Sequence, residues 1–143
     1  MNAIESPAHR YPSPVSNPET EEFWHAARDG QLLLPRCHGC GKHHWYPRRV
    51  CPFCMSDRVE WLPSSGNAEV YSYTVMRLAQ PPFVLAYVTL DEGPSMLTHL
   101  VGKHTDAWQI GDRVRVEFAL TDGDYPVPVF APAKTSTAEG SAP

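Results

Sequence analysis

Hydrophobic and polar positions change their rhythm near the middle of the chain. From Gly66 onward, short apolar runs rich in β-branched and aromatic residues alternate with turn formers, giving extended segments at Glu69–Arg77, Phe83–Leu90, Met96–Val101, Arg113–Leu120 and Val127–Ala131. Val114, Val116 and Phe118 alternate with Arg113, Arg115 and Glu117, as in a half-buried strand. Asp91-Glu92-Gly93-Pro94 joins two runs with strong turn chemistry, and Gly111-Asp112 opens the next. Five strands in about 65 residues predict a small Greek-key barrel, most simply an OB-fold. No internal repeat is present.

The first half follows other rules. Asn17 precedes Pro18, Glu19, Glu21 and Glu22, which places a capping side chain, a first-turn proline and acids at the positive end of a helix dipole. Gly30 is positioned to stop that helix. Phe23 and Ala27 fall one turn apart with Trp24 beside them, on a helix of about twelve residues, too short to be stable alone. It must dock, either on its own domain or as part of a ligand or subunit groove. Gln31–Arg36 then reads as a strand, and His44–Arg48 as another. The fold class is therefore mainly β: an N-terminal helix, a ribbon and a five-stranded barrel. Residues 1–17 read as a disordered or partner-wrapping tail, 18–62 as helix plus ribbon, 63–133 as the barrel and 134–143 as a second disordered tail.

Cysteines decide what the ribbon is. All four lie in two knuckles, Cys37-His-Gly-Cys40 and Cys51-Pro-Phe-Cys54, separated by ten residues. Such knuckles wrap four thiolates tetrahedrally around one ion, so Cys37, Cys40, Cys51 and Cys54 are the expected ligands of a structural Zn2+, with iron in the same cage as an alternative. Paired disulfides compete with this reading, and a reducing compartment disfavours them. Four bound thiolates leave no open position for a catalytic water and no spare thiol for a cysteine nucleophile.

Compartment follows from what the chain lacks. The longest apolar run, Phe83–Leu90, is far short of the ~18 residues that span a bilayer. Residues 1–22 hold four prolines and four glutamates, unlike a secretory leader. A cytoplasmic protein with no membrane contact is expected.

The formal net charge of −4 is unevenly spread. Residues 36–58 carry +4, flanked by −3 before them and −5 after them. An acidic whole with one basic segment argues against broad nucleic-acid coating and leaves room for a small anionic ligand.

The joint order of several motifs carries a family resemblance. Phe23-Trp24, Gly30, Leu34-Pro35-Arg36-Cys37, Cys40-Gly41, Tyr46-Pro47-Arg48 and Cys51-Pro52 with Cys54 resemble the N-terminal half of the zinc-ribbon/OB-fold family associated with acyl-CoA metabolism. Val70-Tyr71-Ser72-Tyr73-Thr74-Val75, Pro82-Phe83-Val84, Leu90-Asp91-Glu92-Gly93, Ile110-Gly111-Asp112-Arg113-Val114 and Pro128-Val129-Phe130 look like its barrel signatures. The likeness covers residues 18–133.

That resemblance implies a rubredoxin-like ribbon and an accessory subunit without catalytic residues of its own. Its implied partner is a thiolase-superfamily enzyme of lipid or steroid metabolism: a thiolase, an acyltransferase or a lipid-transfer-protein-like aldolase, in a hetero-oligomer. Some relatives accompany hot-dog-fold acyl-CoA hydratases instead. A coenzyme A thioester is the implied shared ligand.

Candidate contacts each have a bland counterpart. Arg48 and Arg49, beside Arg36, Lys42 and Arg58, could meet the phosphates of coenzyme A or form a solvated face. Trp45 and Tyr46, with Phe53, could stack an adenine or fill a tiny ribbon core. Phe23, Trp24 and Phe83 are the candidate partner interface, as large apolar residues on a short helix and after a Pro81-Pro82 loop. His43-His44 suits a surface or metal-supporting place, and His38 faces solvent. His99, in phase with Leu97 and Val101, suits a buried hydrogen-bonded position, and Asp91 and Glu92 suit a turn.

Two further classes stay open. Zinc ribbons beside OB barrels also bind single-stranded nucleic acid, against which the acid excess speaks. An independent thioester-cleaving enzyme would need His99 or the carboxylates, although no GxSxG elbow, GxGxxG fingerprint or P-loop is present.

Overall fold

A computed structural model of the chain describes residues 11–133. Residues 1–10 of the tail expected over residues 1–17, and the tail expected at residues 134–143, lie outside that range. Helix α1 spans Glu21–Arg28, followed by strands β1 (Leu33–Cys37), β2 (Val59–Pro63), β3 (Asn67–Met76), β4 (Phe83–Leu90), β5 (Ser95–Leu100), β6 (Arg113–Ala119) and β7 (Val127–Pro132). A single 3-10 turn, Thr105–Ala107, lies between β5 and β6.

Asn17 does initiate the first element, one turn ahead of the helix proper. Its Oδ1 accepts the amides of Glu19 and Thr20, both at 3.0 Å, closing a turn from which α1 starts at Glu21. At the other end Gly30 takes φ +79°, and the amides of Gly30 and Gln31 donate to Ala27 and Ala26. That is the left-handed stop glycine adopts most readily.

The ribbon corrects one expectation. β1 pairs antiparallel with β2, Leu34 opposite Leu62, and the predicted strand His44–Arg48 is absent: the only bridge nearby joins Arg36 to His43, just before that segment. Pro47 lacks an N–H for a ladder, and His44 and Trp45 turn toward the core instead.

β3 to β7 form a closed barrel in the order β3-β4-β5-β7-β6, antiparallel except where β5 meets β7 at Leu100 and Phe130. This is the five-stranded OB barrel expected from the sequence. A bulge at Tyr71 shifts the phase of β3 between Val70 and Ser72. Tyr73 thereby stands opposite Ala86, and its hydroxyl donates to the Trp108 carbonyl at 2.8 Å.

The main apolar cluster among the described residues joins helix, ribbon strand and barrel. Phe23, Trp24 and Ala27 of α1 join Leu34 of β1 and barrel residues such as Val88, Val114 and Phe130. The helix therefore docks on its own chain. Tyr11 also packs on it: its side chain is buried against Ala119 and Val129, and the Asp122 amide donates to its carbonyl at 3.3 Å. Among the described residues no helix is long and apolar enough to cross a membrane.

Candidate metal centre and ligand clefts

Both knuckles close by the same local chemistry. The Gly41 amide donates to the Cys37 carbonyl and the Met55 amide to the Cys51 carbonyl, while the amides of Gly39 and Phe53 donate to the Cys37 and Cys51 sulfurs at 3.2 and 3.3 Å. The four Sγ atoms thus lie within 4.8 Å of one another, with Cys37–Cys54 at 3.5 Å and Cys40–Cys51 at 3.7 Å. A tetrahedron of Zn–S bonds of ~2.3 Å has edges of ~3.8 Å, so the cluster has the size of a zinc cage and is too open for S–S bonds of ~2.05 Å.

Electrostatics points the same way. The Cys40 amide, with help from Gly39, holds the Cys37 thiol down at about 6 against its burial. Burial pushes Cys51 up, and the amides of Cys54 and Phe53 outweigh it and bring that thiol down. The Ser56 amide pulls Cys54 down, but the neighbouring thiols, Cys37 foremost, outweigh it and push it up to about 11. Four crowded sulfurs resist joint ionisation until a cation neutralises them. A structural zinc ion held by Cys37, Cys40, Cys51 and Cys54 fits this donor set.

Two clefts flank the centre, and they divide the predicted ligand residues. Arg48 and Arg49 line one of about 520 Å3 with Glu19, Glu22, Asp57 and Trp61, and the Arg49 amide donates to Glu19 Oε2 at 2.9 Å. Three carboxylates oppose two guanidinium groups there. Trp45 lines the other, also about 520 Å3, between ribbon and barrel, together with Lys42, His43, His44, Phe53 and Glu92. Tyr46 is exposed, its ring edge-on to that of Trp45 at 5.3 Å between centroids. The four candidates therefore do not form one site.

His44 departs most from expectation. It is 1% exposed, not at the surface, and neither ring nitrogen has a hydrogen-bond partner among the described residues. Burial holds its imidazole below the ordinary histidine value; the Arg48 backbone offsets this in part without reaching hydrogen-bond geometry. Lys42 Nζ lies 4.9 Å from the Phe53 ring centroid, and both Glu92 oxygens are engaged, by Ser64 Oγ at 2.9 Å and the Ser65 amide at 2.7 Å.

The proposed interface aromatics are placed otherwise too. Phe23 and Trp24 are 0% and 7% exposed, with Phe23 edge-on to both Trp24 and Trp45, so neither side chain is offered to a partner in this conformation. Phe83 is half-buried on the outer face of β4, 5.1 Å from the His99 ring. His99 itself points outward, because its in-phase neighbour Leu97 is an exposed residue, and Tyr11 stacks edge-on against it. Reading the phase of β4 and β5 would have found Tyr87 and Leu97, both about half exposed on that outer face. His38 is exposed and pairs with Glu60 at 2.8 Å. Arg113 Nη2 donates to both carboxylate oxygens of Asp91, at 3.0 and 3.1 Å, so the Asp91-Glu92 turn is spent on structure.

Comparison with known proteins extends this picture. Residues 24–60 match the ChsH2 rubredoxin-like zinc ribbon domain, and residues 61–119 the ChsH2 C-terminal OB-fold domain. A probable enoyl-CoA hydratase alpha subunit of Thermomonospora curvata is 32% identical over 127 residues; the match takes in 85% of this chain but only 40% of that relative. A DUF35 domain-containing scaffold protein of Methanothermobacter thermautotrophicus is 31% identical, over 70% of this chain and 81% of its own. The benzoylsuccinyl-CoA thiolase subunit BbsA of Geobacter metallireducens is 28% identical over 57% of each chain. Among solved structures, a chain of the Ltp2-ChsH2(DUF35) aldolase superposes with a TM-score of 0.75 and 31% identity, covering 84% of this chain and 98% of that one.

Proposed function

We propose, because this chain belongs to the DUF35 family of ChsH2-type zinc-ribbon/OB-fold proteins, that it is the accessory subunit of a thiolase-fold enzyme that makes or breaks a carbon–carbon bond in an acyl-CoA. The observation that carries this is the superposition on nearly the whole of one chain of the Ltp2-ChsH2(DUF35) aldolase. The thiolase subunit BbsA supports the same class of partner. In this reading the partner holds the reacting groups. This chain gives a rigid, zinc-fixed surface and shares the thioester ligand.

Affinity capture of the tagged chain from its native host, with mass spectrometry of near-stoichiometric companions, tests the reading. A thiolase-fold companion supports it; a chain that elutes alone, or with nucleic acid, overturns it. One observation favours a second reading: the Thermomonospora relative is described as a hydratase subunit, so a hydratase companion would move this chain to acyl-CoA hydration.

A further inference from the structure

Closure of the barrel is thinnest where β5 meets β7. The two strands share one register pair, Leu100 with Phe130, while β4 and β5 pair all the way from Val84–Leu100 to Thr89–Ser95. The Val101 amide reaches the Phe130 carbonyl at 2.9 Å and Thr98 Oγ1 the Pro128 carbonyl at 3.1 Å, but Pro128 has no N–H with which to extend the ladder.

Tyr11 lies over this seam from outside. Alternation along β7 sends Phe130 into the main core and Val129 to the outer face, and Val129 is nonetheless wholly buried. With Tyr11, Ala119 and the partly buried Val101 and Val127 it forms a second apolar cluster, separate from the main core. The Tyr11 ring also stands edge-on to His99 of β5, at 5.0 Å between centroids. Ser13 follows so closely on the 120–126 loop that a Cβ at Gly123 would lie 2.5 Å from its Oγ, and the Asp122 amide donates to the Tyr11 carbonyl. Together these residues make a slot fitted to an extended segment.

What fills the slot is not a barrel strand. Residues 11–17 precede residues 24–60 and 61–119, which match the family domains. Pro12 and Pro14 deny the segment a regular ladder, Val15 is exposed, and the chain is next held at Asn17 by the turn that leads into α1. Tyr11 is thus an anchor at the end of an arm, the kind of element that opens well below the free energy of global unfolding.

We propose that the β5–β7 seam is a docking slot for an extended segment anchored by one aromatic ring, and that the chain's own Tyr11 arm fills it as a releasable latch. Release uncovers Val129 and the side of the His99 ring that Tyr11 meets, and joins them to exposed Tyr87 and Leu97 on the outer face of the barrel. Nothing in this latch depends on the accessory-subunit reading.

Amide exchange and chemical shifts of the zinc-loaded full chain test it, with the capped heptapeptide Tyr-Pro-Ser-Pro-Val-Ser-Asn, the sequence of residues 11–17, as a probe in trans. In Tyr11→Ala the Asp122 amide is expected to exchange about tenfold faster or more, while the Val116 amide, bonded to Gly66, is unchanged. Tyr11→Phe, which keeps the ring, should exchange like the wild type. Millimolar heptapeptide should shift the Asp122 and Val129 signals of Tyr11→Ala, and should bind the wild type, whose slot is occupied, about tenfold more weakly or worse. The same peptide with alanine for tyrosine should bind neither. Equal acceleration at Asp122 and Val116 would make Tyr11 an ordinary part of the barrel and overturn the latch, as would an Asp122 amide indifferent to Tyr11→Ala. A peptide that shifts neither chain, or both equally, overturns the slot. A wild-type dimer in sedimentation equilibrium that Tyr11→Ala dissociates overturns the latch in favour of an arm exchanged with a second copy.

Discussion

In the barrel, Val70, Val88, Val114 and Phe130 are wholly buried and every strand has a neighbour on both sides, so backbone and apolar groups are satisfied together. In the ribbon between Cys37 and Val59, Tyr46, Val50, Phe53 and Met55 are 40% to 73% exposed, and its one ladder is the five-residue pairing of β1 with β2. Apolar burial accounts for the order of the first region but not of the second. A metal cross-link supplies in the ribbon what closure supplies in the barrel, and it frees the knuckle side chains to face outward, where a ligand or partner can use them.

Removing the metal is the harshest way to test that contrast. Structural zinc in small cysteine sites is worth ~10–16 kcal/mol of apparent binding free energy, so chelation, or Cys51→Ser, should release residues 37–58. Hydrogen exchange should show fast amides there and protected amides in β3 to β7. If barrel protection falls together with the ribbon, the shared cluster through Phe23, Trp24 and Leu34 couples the two into one unit, and the contrast fails.

The converse experiment strikes the barrel. Phe130→Ala removes a fully buried ring and should cost ~3–5 kcal/mol, read as a lower denaturant midpoint, while the zinc content of the native protein stays unchanged. Zinc lost in the native state of this variant would mean that the ribbon depends on barrel packing.

The same division governed what could be read beforehand. Barrel strands carry their own signal, and the run Phe83–Leu90 was bounded to the residue because alternation and flanking turns are local properties. The metal ligands were legible for a related reason, since knuckle spacing alone encodes a tetrahedron. Contacts made across the ribbon were not. Trp45 and Tyr46 look strand-forming, but the partner of β1 is Val59–Pro63, set by the knuckles that bring it alongside. Phe23 and Trp24 announced an apolar helix face without saying that their own chain covers it. The cleft at His44 had no sequence signal, because the Glu92 turn that helps line it is 48 residues away.

Between the two regions, Gly66 offers a milder perturbation. It holds φ +82° just before β3, and a Cβ added there would sit 2.7 Å from Val116 Cγ1. Gly66→Ala should therefore cost ~1–3 kcal/mol through strain at the seam. Thermal unfolding with exchange readout would show β3 and β6 loosened first. An unchanged midpoint would mean that the seam yields freely and that ribbon and barrel move as separate bodies.

The smallest effect expected is the one that locates His44 in this contrast. Its imidazole is neutral and desolvated in the native state, with its proton affinity held below the unfolded value of ~6.5. Above that pH neither state carries the proton, and the native state keeps its full stability. As the pH falls below ~6.5 the unfolded chain takes up a proton that the native chain refuses, so stability declines with a slope of at most ~1.4 kcal/mol per pH unit until the folded value is passed. Acid also protonates the zinc thiolates, but His44→Gln leaves all four in place, so the difference between the two acid titrations isolates the imidazole. A shallower slope in the variant is expected, with the same pH dependence of zinc release. Equal slopes would show that His44 takes up its proton while folded, and the ribbon would then meet the barrel through a charged contact instead of a buried neutral one.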